Sequence, residues 1–354
     1  MTGSRHEGLL DRVARAPARS GPLVVALSGG RDSVCLLDVL ARLGAPADLL
    51  AVHVHHGLRG PDADADARHC ADIAATIGVA LRVERLPARP SGSGSVAVWA
   101  REARALALRR AAVAWGGSGT SIALGHTATD QAETVLQRAV SSPGARSLAA
   151  MRVDEVTAGT TRPLLAARAT RAETGAWCRE RGLAWRDDPG NPTSPRGRVR
   201  ALLDGLEALD PRATSALMRT AELAREDDEA LGAMAATGLR DGPAGPRIDA
   251  AWLRDVAPAV GRRALRIAAE RTLGGSRGRV GSRLEDLTAL IERGGPAAID
   301  VGDAVRLRTD GRDVWCEPAP RRGPPAAPAP APGPVPDRRP TRAHAPGHPR
   351  HPPA

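Results

Sequence analysis

LVVALSGGRDSVCLL, residues 23–37, sets a compact apolar run directly before two adjacent glycines and an apolar stretch directly after them. The first run has the length and composition of a buried strand, and the second suits a helix. Gly29 and Gly30, flanked by Ser28 and Ser33, make the join a turn whose freed backbone amides and helix amino end can bind an anion. A strand entering an anion-binding turn and leaving as a helix is the first unit of an α/β sheet.

Working outward, the same alternation continues. Strands are expected at 23–27, 49–54, 79–86 and 121–124, each a short run rich in Val, Ile or Leu between turn residues, with helices over 33–43, 63–77 and 96–115. This order predicts a parallel sheet flanked by helices, with its ligand site at the carboxyl ends of the strands. SGGRDS (28–33), HVHHGLRG (53–60) and GHTATDQ (125–131) each follow a strand directly and should meet on that rim. Farther along, helices are expected near 128, over 171–181, over 214–235, and as continuous runs over 251–273 and 280–293. Short strands follow around 298–301, 304–308 and 313–316.

The 354 residues divide into an extension at 1–20, an α/β domain at 21–215, a helical linker at 216–245 and a small α+β domain at 246–318. Beyond Pro318 the chain is almost wholly Pro, Ala, Arg, Gly and His, which reads as a disordered tail over 319–354. No apolar run reaches signal-peptide or membrane-span length, so a cytoplasmic protein with no membrane partner is expected. Cys35, Cys70, Cys178 and Cys316 form no CxxC pair, which argues against a zinc ribbon, a thioredoxin-like site or an iron–sulfur cluster.

Lysine, Phe and Tyr are absent, and all 50 basic side chains are arginine. The bias matches GC-rich coding better than selection for arginine. A net charge of +10 still favours a polyanionic partner, and because ten arginines fall between Arg152 and Arg200, those of 162–200 are a better candidate RNA face than the charge as a whole. Without lysine no Walker A loop or kinase strand is possible, and adjacent glycines do not make GxGxxG. The remaining candidate is SGGxDS as a pyrophosphate loop. Its Asp32 would repel phosphates unless a cation lay between them, which makes it a candidate Mg2+ ligand.

SGGRDS resembles the signature of the PP-loop ATP pyrophosphatases. HHGLRG (55–60), GHTATDQAET (125–134), RPLL (162–165), DPGN (188–191) and RGRVR (196–200) follow in the order and spacing of the tRNA(Ile)-lysidine synthetases. The resemblance covers 20–205 firmly and 206–316 loosely. It implies a PP-loop, adenine nucleotide alpha hydrolase-like fold and an ATP-dependent ligase forming a carbon–nitrogen bond. That family adenylates C2 of the wobble cytidine of an isoleucine tRNA with a CAU anticodon, and free lysine then displaces AMP.

On that resemblance Ser28, Gly29, Gly30, Arg31, Asp32, Ser33 and His55 would bind ATP, with Asp32 and Asp130 on Mg2+. Asp32, Asp130, Arg104 and Arg198 would serve catalysis. Arg101 and Glu133 would meet cytidine or lysine, and Arg196 and Arg200 the tRNA. Thr127 and Thr129 stand where the family has His and Asp, Ala105 where it has an aromatic, and Gly197 where it has Asn. A homodimer is left open. Another PP-loop enzyme such as a tRNA thiolase, and a catalytically impaired RNA-binding relative, stay as alternatives; the missing cysteine pairs weigh against the first.

Overall fold

The computed structural model describes residues 4–16, 21–44, 46–90, 95–142, 144–187, 194–274, 280–302 and 304–319. DPGN and the tail over 320–354, both named above, lie outside these residues. The chain divides into two compact units, with the division between Met234 and Ala235.

The first unit starts with α1 (Ser4–Arg15), then alternates β1 (Leu23–Ala26), α2 (Arg31–Leu43), β2 (Leu49–His55), α3 (Pro61–Ile77), β3 (Ala80–Arg85), α4 (Val96–Gly116) and β4 (Ser121–Ala123). After it come α5 (Ala128–Ser141), α6 (Ala145–Leu148), the two-residue strands β5 (Asp154–Glu155) and β6 (Thr160–Thr161), α7 (Pro163–Ala166), α8 (Arg171–Glu180), α9 (Pro195–Leu209) and α10 (Ala213–Ala236). The sheet order is β3-β2-β1-β4-β6-β5, parallel except for the final β5–β6 pair.

Successive side chains on a strand point to opposite faces, and the burial follows this alternation. Val25, Leu27, Leu49 and Ala51 pack with α1, α2, α3 and α8. Val24, Ala26, Leu50 and Val52 pack with Ala107, Leu108, Ala111 and Ala112 of α4. A sheet covered on both faces reads as continuous apolar runs, which is why β1 and β2 are so plain in the sequence. Leu36 and Leu37 are both fully buried in the helix that leaves the glycine turn, each contributing roughly 1.5–3 kcal/mol of transfer energy.

The boundaries fall differently from those expected. Residues 4–15 are no loose extension, because Leu9 and Val13 join the sheet core and Arg12 Nη2 donates to Glu173 Oε1 at 2.5 Å. The expected end near 215 lies inside α10, whose Met218 packs on Ala128 and Leu165. That contact keeps the helix with the first unit.

The second unit contains β7 (Leu239–Arg240), β8 (Arg247–Asp249), α11 (Ala250–Asp255), α12 (Pro258–Leu273), α13 (Leu284–Glu292), β9 (Ala297–Gly302), β10 (Val305–Thr309) and β11 (Asp313–Pro318). β7 lies in the stretch read as a linker and pairs with β8. The helical run expected over 251–273 breaks because Pro258 forces Ala257 into extended backbone, at ψ 135°. The antiparallel sheet, ordered β7-β8-β11-β10-β9, buries Ile248, Val305, Leu307, Val314 and Cys316, and helix α12 packs against β11 and β8.

Candidate active site

At the carboxyl ends of β1 and β4 opens a cleft of about 410 Å³ lined by seven arginines, five aspartates, Ser28, Gly30, Ser33, Gly125 and His126. Residues from SGGRDS, HHGLRG and GHTATDQ all reach it, as the strand order requires. Its floor is the turn from β1 to α2. Gly29 has φ +81°, and a Cβ there would come within 3.2 Å of Cys70 Sγ and His69. Ser33 Oγ accepts from the Ser28 amide at 3.1 Å and donates to the Gly30 carbonyl at 2.8 Å, so the loop is stapled by its own hydroxyl. Gly30 caps α2 without a side-chain bond. The first amides of a 13-residue helix are thus left to an anion in the cleft.

The wall from β4 is equally tight. A Cβ on Gly125 would lie 3.1 Å from the backbone carbonyl of Asp32, so a side chain at this position in GHTATDQ would have to push the start of α2 aside by a few tenths of an ångström. His126 follows on the cleft surface, and its Nδ1 accepts from Arg162 Nε at 3.2 Å. Burial, opposed by the charge of Asp130, pushes the His126 pKa down to about 4, and the ring is neutral near pH 7. An accepting Nδ1 leaves the ring proton on Nε2. Neither His126 nor Arg162 was singled out from the sequence; their only signal was membership of GHTATDQ and RPLL.

Asp32 sits in the first turn of α2 and accepts from Thr174 Oγ1 at 2.5 Å through Oδ1. Burial raises its pKa above the usual carboxylate value, the bond from Thr174 opposes that, and the Asp130 charge raises it further. Thr174 is fully buried and was not anticipated. Asp130 is placed by a capping box on α5, its Oδ2 accepting from the Thr127 amide at 2.8 Å and from Thr127 Oγ1 at 3.0 Å. Its Oδ1 accepts from Arg196 Nη2. One turn along, Glu133 accepts from Arg196 Nε at 3.0 Å and Arg200 Nε at 2.8 Å.

These contacts refine several expectations. Glu133 is 3% exposed and committed to two arginines, so it stands behind the cleft instead of lining it. Arg196 and Arg200, one turn apart, do face the cleft. Arg198 does not: it is exposed, and two residues on from Arg196 is about 200° around the helix. Arg104 lines the cleft, whereas Arg101 is exposed and outside it. His55 Nε2 pairs with Asp64 Oδ1 at 3.1 Å and lines a neighbouring cavity of about 360 Å³ instead of the cleft itself. That cavity shares Ser28, Arg59, Asp66 and Arg104 with the cleft and is walled by Val52, Val54 and Leu58. His53 is a structural residue, its Nδ1 3.0 Å from the Leu27 carbonyl.

The two threonines that replace family residues have clear work. Thr127 caps α5, and Thr129 Oγ1 accepts from the Arg171 amide at 3.1 Å, satisfying an orphan donor at the start of α8. Hydroxyls there replace charge with capping.

For Mg2+ the fit is uneven. Asp32 offers a buried carboxylate with its second oxygen outside any bond described above, which suits a cation. Asp130 has both oxygens engaged, by Thr127 and by Arg196, which suits a cation less well. Among the described residues no three metal-ligating side chains cluster, so phosphate oxygens and water would complete the shell.

The chain matches the PP-loop domain family over residues 7–204. It is 44% identical over 211 residues to a tRNA(Ile)-lysidine synthase of Xanthomonas campestris pv. campestris, covering 57% of this chain and 46% of that one. With the enzyme of the same name from Symbiobacterium thermophilum it shares 35% identity over 352 residues, covering 90% of this chain and 71% of that one. The chain therefore spans about half the length of the Xanthomonas relative and more of the other. Among solved structures, a U34-tRNA thiolase from Methanococcus maripaludis superposes with a TM-score of 0.51 at 18% identity, over 62% of this chain and 78% of that one. That likeness speaks for the fold alone.

Proposed function

The chain belongs to the PP-loop family, among the tRNA(Ile)-lysidine synthases, and from that premise we propose that it uses ATP to join lysine to C2 of the wobble cytidine in an isoleucine tRNA with a CAU anticodon. The products are lysidine, AMP and pyrophosphate. The observation that supports this most is the uncapped start of α2, set with Asp32 in a cleft where arginines outnumber aspartates seven to five. An excess of guanidinium around freed amides suits a polyphosphate.

The reading assigns the triphosphate to this cleft, on Ser28 to Ser33, and the adenosine to the adjoining cavity, whose apolar walls and unpartnered, buried His56 Nδ1 suit a base. Mg2+, held by Asp32 and phosphate oxygens, would neutralise phosphate charge. In the first step the cytidine O2 attacks the α-phosphorus, the bond to the β-phosphate oxygen breaks, and pyrophosphate leaves. Arg104 and the Nε2 proton of His126, both on the cleft lining, would be donors to that charge. In the second, the lysine ε-amine attacks C2 and the C2–O bond breaks to release AMP. Its ammonium must first lose a proton, and Asp130 with Glu133 is the carboxylate pair available once Arg196 and Arg200 turn to the RNA.

No described helix is long and apolar enough to cross a membrane, and work on tRNA argues for the cytoplasm. The region 246–318 is proposed to help hold the tRNA, and a homodimer is compatible with the reading. Sulfur transfer is disfavoured, since Cys35, Cys70, Cys178 and Cys316 are all buried and none lines the cleft. Incubation with ATP, lysine and the CAU-anticodon tRNA should give AMP, pyrophosphate and lysidine in equal amounts. Intact tRNA binding with no turnover would sink the enzyme reading in favour of an RNA-binding relative.

A further inference from the structure

Asp66, on α3, is one of five aspartates in a cleft read above as a polyphosphate site, where a carboxylate of no other use is a handicap. Its two oxygens hold two different arginines. Arg59 Nη2 donates to Oδ2 at 2.7 Å, and Arg186 Nε donates to Oδ1 at 2.7 Å. The arginines come from separate segments, the HHGLRG loop after β2 and the stretch after α8. Both side chains are nearly half exposed, at 47% and 44%, against 15% for Asp66, and all three residues line the cleft. The Arg186 amide donates to the Gly29 carbonyl at 3.0 Å, so its backbone is tied to the phosphate loop itself.

We infer that Asp66 is a positioning residue: it holds Arg59 and Arg186 as a two-sided clamp on the pyrophosphate end of ATP. Two guanidinium groups converging on one cleft repel each other, and a carboxylate between them removes that cost while fixing both forks. Arg186 gives Nε to Asp66, which leaves its two terminal nitrogens in one plane facing the cleft, and Arg59 is held to the same carboxylate from the opposite side through Nη2. Arg59 and Asp66 also line the neighbouring cavity, and Arg186 does not. The clamp therefore sits at the boundary between the two and reaches the phosphate side through Arg186.

The inference rests on the ATP reading, and one experiment separates the two. Inorganic pyrophosphate binding to the full chain is measured by calorimetry, together with the steady-state constants for ATP, for wild type, Asp66→Asn and Asp66→Glu. A carboxylate acting by charge alone would oppose the anion, so Asp66→Asn would bind pyrophosphate more tightly. A positioning carboxylate predicts the opposite sign: weakening of about tenfold, the worth of one charge-assisted hydrogen bond. The KM for ATP should rise in parallel, with kcat changed less than about threefold and the KM for lysine unmoved, and Asp66→Glu should recover part of the loss. Tighter or unchanged pyrophosphate binding by Asp66→Asn overturns the clamp while leaving the ATP site in place. If wild type binds neither pyrophosphate nor ATP, the ATP reading falls and the clamp with it. Arg186→Ala supplies a check should Asp66→Asn unfold: it should weaken pyrophosphate to a similar extent, and no change would overturn the clamp.

Discussion

The two units handle arginine in opposite ways. On the open face of the antiparallel sheet each cation has a local answer: Arg306 donates to Asp300 at 2.6 Å, Arg308 pairs with Glu317 at 3.5 Å, and Arg240 pairs with Asp313. Arg247, opposite Trp315 in the register, stacks on that ring with its Cζ 3.9 Å from the centroid. In the parallel-sheet unit, seven arginines from six separate segments converge on one cleft against five aspartates. An arginine-rich sequence is thus no guide to where an anion binds. What matters is whether topology brings guanidinium groups together faster than it brings carboxylates to match them.

The sharpest way to break this contrast is at the loop. Asp32→Ala should lower adenylation by roughly a hundredfold to a thousandfold, the usual scale for losing one electrostatic group at the reaction centre. tRNA affinity should stay within about twofold, read by filter binding. Parallel loss of both would mean that Asp32 holds the fold of the cleft and not its chemistry.

A second test addresses a place in the first unit where two arginines share one nearly buried carboxylate. Glu133→Ala removes a nearly buried partner from Arg196 and Arg200 and should cost about 3 kcal/mol in urea unfolding, as breaking such pairs does. The lysine KM should rise as well. A loss below about 1 kcal/mol would show the trio to be worth no more than solvated surface ion pairs.

Arginine for arginine, the two units should differ in RNA binding. Arg101→Ala, at an exposed site beside the cleft helix face, should weaken tRNA about fivefold and reduce the salt slope by about one. Arg306→Ala, whose guanidinium is already paired, should change it less than about twofold. The reverse result would move the RNA surface to the antiparallel sheet.

The smallest effect is in pH. The folded pKa of His126 is about 4, below the unfolded value near 6.5, so the unfolded state binds the proton first. The stability this residue contributes is complete above pH 6.5 and is lost as pH falls towards 4. His126→Asn should remove that slope from the first unit, read by hydrogen exchange. In the second unit, Asp249 and Asp310 have pKa values held below 3.8 by backbone hydrogen bonds, so their contribution persists until pH falls below that value. Loss of both units over one window would erase the distinction.

Much of the first unit was legible because burial on both faces writes strands as unbroken apolar runs. β1, β2 and β4 fell within a residue or two of expectation, and the glycine turn marked the site. The two-residue strands β5 and β6 carry too few side chains to leave a pattern. Helix α1 is short and amphipathic, and only its contact with the core shows that it belongs there. Thr127 and Thr129 read in sequence as losses, since the capping roles they serve depend on an amide 42 residues later or a carboxylate three residues on.

By itself, then, the sequence determined the sheet, the loop, the family resemblance and the residue types at the rim, because each is encoded by local spacing. Only the tertiary structure decided which charges answer which. Arg196 meets Asp130 across 66 residues, and Arg186 meets Asp66 across 120. Ion pairing depends on distance in space, and nothing in the local periodicity of a chain records which distant carboxylate the fold will bring within 3 Å.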